Sequence, residues 1–138
     1  MKIELNFSKR YEVTIPQDAS FGGIYVVYAF NGLSDSPLWK LLDIGEADNI
    51  YNRYLRHERK RLWERFATDN NMKLVYYLAE INNEHNYRKI AEAAMLFRFQ
   101  PMFDKSGLQG YHHGEVEIVV KGGLENAFGS FIQRDTDI

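Results

Sequence analysis

A single acidic residue, Glu92, interrupts the apolar run at residues 90–101, Ile-Ala-Glu-Ala-Ala-Met-Leu-Phe-Arg-Phe-Gln-Pro. On a helix these residues place apolar side chains on almost every face, so the segment is predicted to be buried rather than amphipathic. A buried carboxylate is costly unless it is ion-paired, hydrogen-bonded or bound to a metal. Two explanations stay open for Glu92: a salt bridge to Arg88, one turn earlier on the same helix, or a metal site.

A basic segment offers a second kind of chemistry, the binding of phosphates. Seven cationic or titratable side chains fall within thirteen residues: Arg53, Arg56, His57, Arg59, Lys60, Arg61 and Arg65. A solvated helix face usually balances its charges, but only Glu58 and Glu64 oppose these. We therefore favour phosphate contact, through Arg53, Arg56 and Lys60, with Arg59 and Arg61 nearer the flanks of that face.

Length and composition limit the classes of protein to consider. The 138 residues are expected to form one domain, 1–138, and a net charge of −2 means that any nucleic-acid contact must come from a local patch. The absence of cysteine rules out disulfides and thiolate metal sites. No signal peptide or bilayer-length apolar stretch is present, so we expect a cytoplasmic protein with no membrane partner.

Alternating or β-branched segments predict the strands that must position these residues. They lie at Lys2–Phe7, 11–15, Gly23–Phe30, 38–44, 73–81 and 115–121. The strands at 23–30, 38–44 and 73–81 are expected to form a small central antiparallel sheet, with the second of them ending at Gly45. The N-terminal strands and the strand at 115–121 are expected to extend or cover it.

Two helices are predicted to flank this sheet, which gives an α+β fold. The first runs from a cap at Asp48 or Asn49 to about Phe66, with an apolar stripe formed by Tyr51, Leu55, Leu62 and Phe66. The second covers residues 87–99 and is stopped by Pro101. Residues 122–138 carry no periodicity that predicts an element.

The distinctive residues follow one another in a recognisable order along this framework. Gly-Ile-Tyr at residues 23–25 is followed eighteen residues later by Asp-Ile-Gly at 43–45, and Arg53 lies eight residues further on. Three further polar residues of this arrangement follow Arg53 along the chain: His57, Glu92 and Asp104. Over residues 22–104 this arrangement resembles the GIY-YIG nuclease superfamily.

The resemblance implies a metal-dependent endonuclease that hydrolyses phosphodiester bonds in nucleic acid, with DNA as the expected partner. Tyr25 would help to activate the attacking water, which requires a nearby cation because a tyrosine pKa is ordinarily near 10. Arg53 would hold the scissile phosphate, and His57 matches a histidine of the restriction-enzyme branch. Glu92 would bind Mg²⁺ or Mn²⁺, and Gly45 would keep the strand end open to the phosphate backbone.

Two departures from the family pattern leave alternatives open. Asp43 stands where the family has its second tyrosine, and Asp104 stands where it has an asparagine. Asp43 is kept as a catalytic candidate, since the two carboxylates would build a more acidic metal site with Glu92. The alternative role for Asp43 is a strand-end residue that pairs with a basic neighbour such as Arg53. The alternative function for the protein is a nucleic-acid-binding or regulatory module that has lost catalysis through these two changes.

The resemblance makes one geometric demand on the fold. Tyr25, Asp43, Arg53, His57 and Glu92 are expected to meet on a single concave surface, with Gly45 and Asp104 supporting it.

Overall fold

The computed structural model describes residues 1–82 and 84–138 and contains two β-sheets. Its strands are β1 (Lys2–Phe7), β2 (Lys9–Glu12), β3 (Gly23–Phe30), β4 (Trp39–Ala47), β5 (Lys73–Glu80), β6 (Val116–Gly122) and β7 (Phe131–Gln133). Its α-helices are α1 (Ile50–Leu55), α2 (Lys60–Asp69), α3 (His85–Phe99) and α4 (Glu125–Phe128). Short 3₁₀ turns occur at Gln17–Ala19 and Ser106–Gln109.

The larger sheet has the strand order β2-β5-β3-β4, and every pair in it is antiparallel. It contains the three predicted central strands, with β2 added beside β5. The smaller sheet has the order β1-β6-β7, in which β1 and β6 are parallel. The α+β class with antiparallel-rich sheets is therefore confirmed.

The central strand β3 is buried on both faces, as its β-branched and aromatic sequence predicts. Alternate side chains along β3 point to opposite faces of the sheet. On one face, Ile24 and Val26 pack with α3 and the smaller sheet. On the other face, Tyr25 and Val27 pack with α1 and α2. The sheet thus separates the helix carrying Arg53 from the helix carrying Glu92.

Helix α3 is covered around its circumference over residues 90–97, where every residue is buried or half-buried. One side packs on the larger sheet, and the turn Ser106–Gln109 closes over another side. A methyl group at Gly107 would overlap with the Leu96 carbonyl, so this close approach requires glycine. Gln100 adopts a left-handed conformation and ends the helix before Pro101.

The predicted helix at 49–66 is wrong, because the chain breaks into α1 and α2 at residues 56–59. His57 is buried, and its Nδ1 accepts the Arg59 backbone N–H at 3.1 Å. In a continuous helix that N–H would bond to the carbonyl of residue 55. The predicted apolar stripe fails with the helix, since Leu55 and Leu62 are 50% and 43% exposed.

Three smaller expectations are also corrected. Strand β2 lies at Lys9–Glu12 rather than at 11–15. Strand β4 continues through Gly45 to Ala47. The C-terminal segment without periodicity forms α4 and β7, and β7 pairs with β6. Within the described residues, the helices lack the combination of length and apolar character that bilayer crossing requires.

Candidate active site

An open depression of about 660 Å³ lies where the last residues of β4 meet α1 and α3. Five of the residues selected from sequence line it: Tyr25, Arg53, Arg56, Glu92 and Asp104. Asp43 and His57 are buried behind it, and Lys60 lies outside its lining. The fold therefore brings together residues from β3, α1, α3 and the segment after α3.

Glu92 reaches this depression around the edge of the larger sheet. Strand β4 is an edge strand, so the backbone N–H of Glu46 is free to donate to Glu92 Oε2, at 2.9 Å. Among the described residues no cation lies within ion-pair distance of Glu92, and Oε1 accepts no hydrogen bond from them. Burial raises the pKa of Glu92 to about 7, and the Glu46 N–H and the Lys89 charge offset this only in part.

The salt bridge between Glu92 and Arg88 is absent from the described residues, so that explanation for Glu92 is wrong. Arg88 instead donates from Nε to Glu46, at 3.1 Å, and contacts Asp48 and the carbonyls of residues 81 and 82. Glu46, Asp48 and His85 lie close enough together to suggest a metal cluster. Because the Arg88 guanidinium binds this group, it is an ion-pair network already supplied with a cation.

Tyr25 and His57 form a buried pair beside the depression. The Tyr25 hydroxyl lies 2.9 Å from His57 Nε2, with the two rings edge to face. Since His57 Nδ1 accepts from the Arg59 backbone, the neutral ring carries its hydrogen on Nε2 and donates it to Tyr25. Burial and then the charges of Arg53 and Arg59 lower the pKa of His57 to about 4, so the ring is neutral at pH 7.

The hydroxyl of Tyr25 keeps its own hydrogen and one lone pair free for other partners. Burial raises the pKa of Tyr25, while the Arg53 charge acts in the opposite direction. The group is therefore a neutral phenol at pH 7, able to accept from one partner and donate to another in the depression.

Gly45 lies directly beneath Tyr25, opposite it in the β3–β4 ladder. A methyl group at this position would overlap with the ring and hydroxyl of Tyr25. The glycine is required because it lets the phenol lie flat across β4 and reach His57. Gly45 thus supports the site by positioning Tyr25, whereas the sequence suggested that it kept a strand end open.

We expect Gly45→Ala to lower the free energy of unfolding by about 1–3 kcal/mol, because overpacking displaces the Tyr25 ring. The cost should largely disappear when the same change is made in a Tyr25→Ala background. Urea unfolding of the four proteins of this double-mutant cycle measures both values. An equal cost in both backgrounds would contradict the contact with Tyr25.

Asp43 is 0% exposed and is bound on both carboxylate oxygens. Oδ2 accepts from Arg59 Nε at 2.7 Å and from Trp63 Nε1 at 2.9 Å, and Oδ1 accepts from the Ile44 backbone at 3.0 Å. Burial raises the pKa of Asp43, and the hydrogen bonds from Arg59 and Trp63 oppose that rise. The basic neighbour of Asp43 is Arg59, not Arg53.

Asp104 is positioned by the chain that follows α3. Met102 and Phe103 donate their backbone N–H groups to the carbonyls of Leu41 and Leu42, which covers the outer edge of β4. Asp104 Oδ1 then accepts from the backbone and side chain of Ser106, at 3.0 and 2.6 Å. Its Oδ2 lies 3.5 Å from Arg59. Asp104 therefore closes the Ser106–Gln109 turn and adds a second carboxylate beside Arg59.

The three cations proposed to bind phosphate have different surroundings. Arg53 makes two parallel hydrogen bonds to Glu58, at 2.8 and 3.0 Å. Arg56 is exposed and makes no ion pair within the described part of the chain. Lys60 packs its ammonium over the Tyr54 ring, 4.1 Å from the ring centroid. Arg56 is therefore the cation most accessible to an incoming anion.

Sequence reasoning missed the roles of Glu58 and Arg59, which are among the residues that line the depression. A continuous helix put Arg59 on a flank, but the break at 56–59 turns it towards Asp43 and Asp104. The same break brings Glu58 between Arg53 and Arg59. The run Arg-His-Glu-Arg at 56–59 contains no proline or glycine, so nothing local marks the break.

Comparison of this chain with known protein families, with curated proteins and with solved structures found no match.

Proposed function

We propose that this chain is a metal-dependent endonuclease that hydrolyses phosphodiester bonds in DNA, with a site that resembles that of the GIY-YIG nucleases. One observation carries the proposal. A tyrosine hydroxyl, an arginine and a carboxylate without a cation line one open depression, although they come from three different elements, β3, α1 and α3. An ordinary ion-pair network would not leave Glu92 without a cation.

The donor set at Glu92 fits a hard divalent cation. Mg²⁺ takes oxygen ligands, is often bound by one or two carboxylates, and keeps several waters. Glu92 offers one carboxylate whose Oε2 is fixed by the Glu46 N–H, in a depression large enough for water and substrate. When bound there, Mg²⁺ or Mn²⁺ would supply Lewis-acid stabilisation of the charge on the scissile phosphate and the leaving oxygen.

The remaining steps belong to the side chains of this chain. Arg53 and Arg56 bind the phosphate and orient it, and Arg53 offsets the charge that grows in the transition state. Tyr25 takes a proton from the attacking water as it passes its own hydroxyl proton to a phosphate oxygen. The bond from the water oxygen to phosphorus then forms while the bond to the leaving oxygen breaks, and the leaving oxygen takes a proton from solvent. His57 holds Tyr25 in this orientation by donating from Nε2. Because both rings are neutral at pH 7, this exchange of hydrogens needs no preformed phenolate.

Asp43 has a positioning role in this proposal. It holds Arg59 and Trp63, and Trp63 packs against His57 with ring centroids 4.4 Å apart. The charge of the Asp43 carboxylate is compensated by the Arg59 guanidinium that binds both of its oxygens, so it adds little net repulsion to the depression. The departure of the second triplet from the family pattern is therefore compatible with activity.

The experiment that tests this function is incubation of the purified protein with plasmid, linear and single-stranded DNA. Cleavage is expected with Mg²⁺ or Mn²⁺ and not with chelator. DNA affinity measured in chelator should fall steeply as salt rises, because counterions are released when phosphates are bound.

Two other results would count against the proposed function. Salt-sensitive binding without cleavage, with any divalent ion, would favour the lapsed binding module instead. Absence of binding at low salt would remove nucleic acid as the partner.

A further inference from the structure

Glu58 places a carboxylate between the guanidinium groups of Arg53 and Arg59, two of the arginines that line the depression. Its oxygens accept from Arg53 at 2.8 and 3.0 Å, and Oε1 also lies 3.2 Å from Arg59 Nη1. The side chain is 59% exposed, so it lies at the solvent side of the site. The hydrogen bonds of Arg53 lower the pKa of Glu58 to about 2, which keeps the group ionised at physiological pH.

This arrangement has the geometry of a phosphate complex. The planar guanidinium group of arginine binds carboxylates and phosphates through the same pair of parallel N–H groups. Glu58 therefore uses the donors of Arg53 that an incoming phosphate would use. Any phosphate that binds Arg53 end-on must first displace this carboxylate.

The position of Glu58 in the chain allows such a displacement. Glu58 belongs to the connection at residues 56–59 and lies in neither α1 nor α2. Its side chain can rotate into solvent without breaking the hydrogen bonds of either helix. Arg59 keeps its contacts with Asp43 when Glu58 leaves, because these use Nε and Nη2 rather than Nη1.

We propose that Glu58 sets an affinity threshold at Arg53: it is an internal anion that keeps free phosphate and mononucleotides off Arg53 and that a nucleic-acid strand displaces. This inference rests on the proposed function. Every phosphate ligand must pay the same free-energy cost of displacing Glu58, so the affinity of Arg53 for each of them is lowered by the same factor. A single phosphate makes few contacts and already binds weakly, so with this added cost it no longer occupies Arg53 to a useful extent. A strand adds contacts at Arg56 and releases further counterions, so its affinity stays useful.

The test compares wild type, Glu58→Gln and the charge-matched control Glu64→Gln, all in chelator. Glu64 lies on α2, and neither the ion pairs nor the side-chain hydrogen bonds of the described residues include it. Inorganic phosphate and a ten-nucleotide DNA are titrated separately, with affinity read by NMR shifts or calorimetry. We expect Glu58→Gln to bind both ligands about 1.5- to 5-fold more tightly, the range for an exposed ion pair. Glu64→Gln should leave phosphate affinity near that of wild type.

A fourth protein locates the effect. The gain of Glu58→Gln should be lost in the double variant Glu58→Gln/Arg53→Gln if the released phosphate site is Arg53. Unchanged or weaker phosphate binding in Glu58→Gln, or a gain that survives loss of Arg53, would overturn the inference. If wild type binds and cleaves DNA but Glu58→Gln gains nothing, only the inference fails. If none of the proteins binds phosphate or DNA, the proposed function fails with it.

Discussion

Replacing Glu92 with glutamine is expected to lower metal-dependent DNA cleavage by about 100-fold or more, with DNA affinity in chelator near that of wild type. Glutamine keeps the size of the side chain and can still accept from the Glu46 N–H. It lacks the charge that a divalent cation requires, so the loss falls on transition-state stabilisation rather than on substrate binding. Initial cleavage rates at saturating DNA, beside the charge-matched Glu64→Gln protein, measure the effect.

The same variant carries its own check on folding. The folded-state pKa of Glu92 is raised to about 7 from an ordinary value of 4.5. Its contribution to stability is therefore fully present below about pH 4.5 and is lost as pH rises through about 7. Relative to Glu92→Gln, wild type should lose up to about 3 kcal/mol between these values. Mg²⁺ or Mn²⁺ should restore stability to wild type above pH 7 and not to the variant.

Loss of cleavage in an unfolded variant would say nothing about the metal, so the stability curves decide the interpretation. If folded Glu92→Gln protein cleaves at the wild-type rate, Glu92 is not the metal ligand. If the stability of wild type relative to Glu92→Gln does not change between pH 5 and pH 8, the raised pKa of Glu92 is wrong.

Asp43→Asn is expected to lower the free energy of unfolding by about 3 kcal/mol, the scale for breaking a buried ion pair. An asparagine NH₂ would face the N–H donors of Arg59, Trp63 or Ile44, and the Arg59 guanidinium would lose its buried counter-charge. Cleavage per folded molecule should fall by less than about tenfold, since Asp43 acts only through its neighbours. Urea unfolding and initial rates, corrected for the folded fraction, measure the two effects.

The two substitutions separate a positioning residue from a catalytic one. A stable Asp43→Asn protein that has lost cleavage would show that the aspartate takes part in the chemistry itself. Asp43→Tyr would restore the second tyrosine of the family pattern but does not answer this question. A phenol at position 43 would have to displace Arg59 and Trp63, so it is expected to disturb the fold.

Local sequence correctly predicted those elements whose buried residues form a pattern that is recognisable within a short stretch of chain. Strands β1 and β3 have the predicted bounds, because alternation and β-branched residues report burial within a few residues. The buried character of α3 and its stop before Pro101 follow from composition and from the chemistry of proline. The α+β class then follows from the order of strands and helices.

Glu92 could also be identified from sequence as the unusual charge, because a carboxylate within an apolar helical segment is evident from composition. Its contacts, however, depend on how the strands and helices pack. Its partner is the free N–H of Glu46 at the edge of β4, and the cation expected from sequence, Arg88, is bound elsewhere. Edge position depends on which strands pair, and no local pattern reports that.

The largest difference between the predicted and the observed structure lies in the basic segment, residues 53–65. The sequence showed that cations cluster at residues 53–65, but periodicity alone extended one helix through them. The break at 56–59 depends on the burial of His57 against Tyr25 and Trp63. Tyr25 lies 32 residues before His57, and Trp63 lies on α2, beyond the break. That long-range packing turns Arg59 inward and places Glu58 on Arg53. The contacts of the site therefore depend on packing between elements. The free energy of that packing involves residues from several segments at once, so no single segment predicts it.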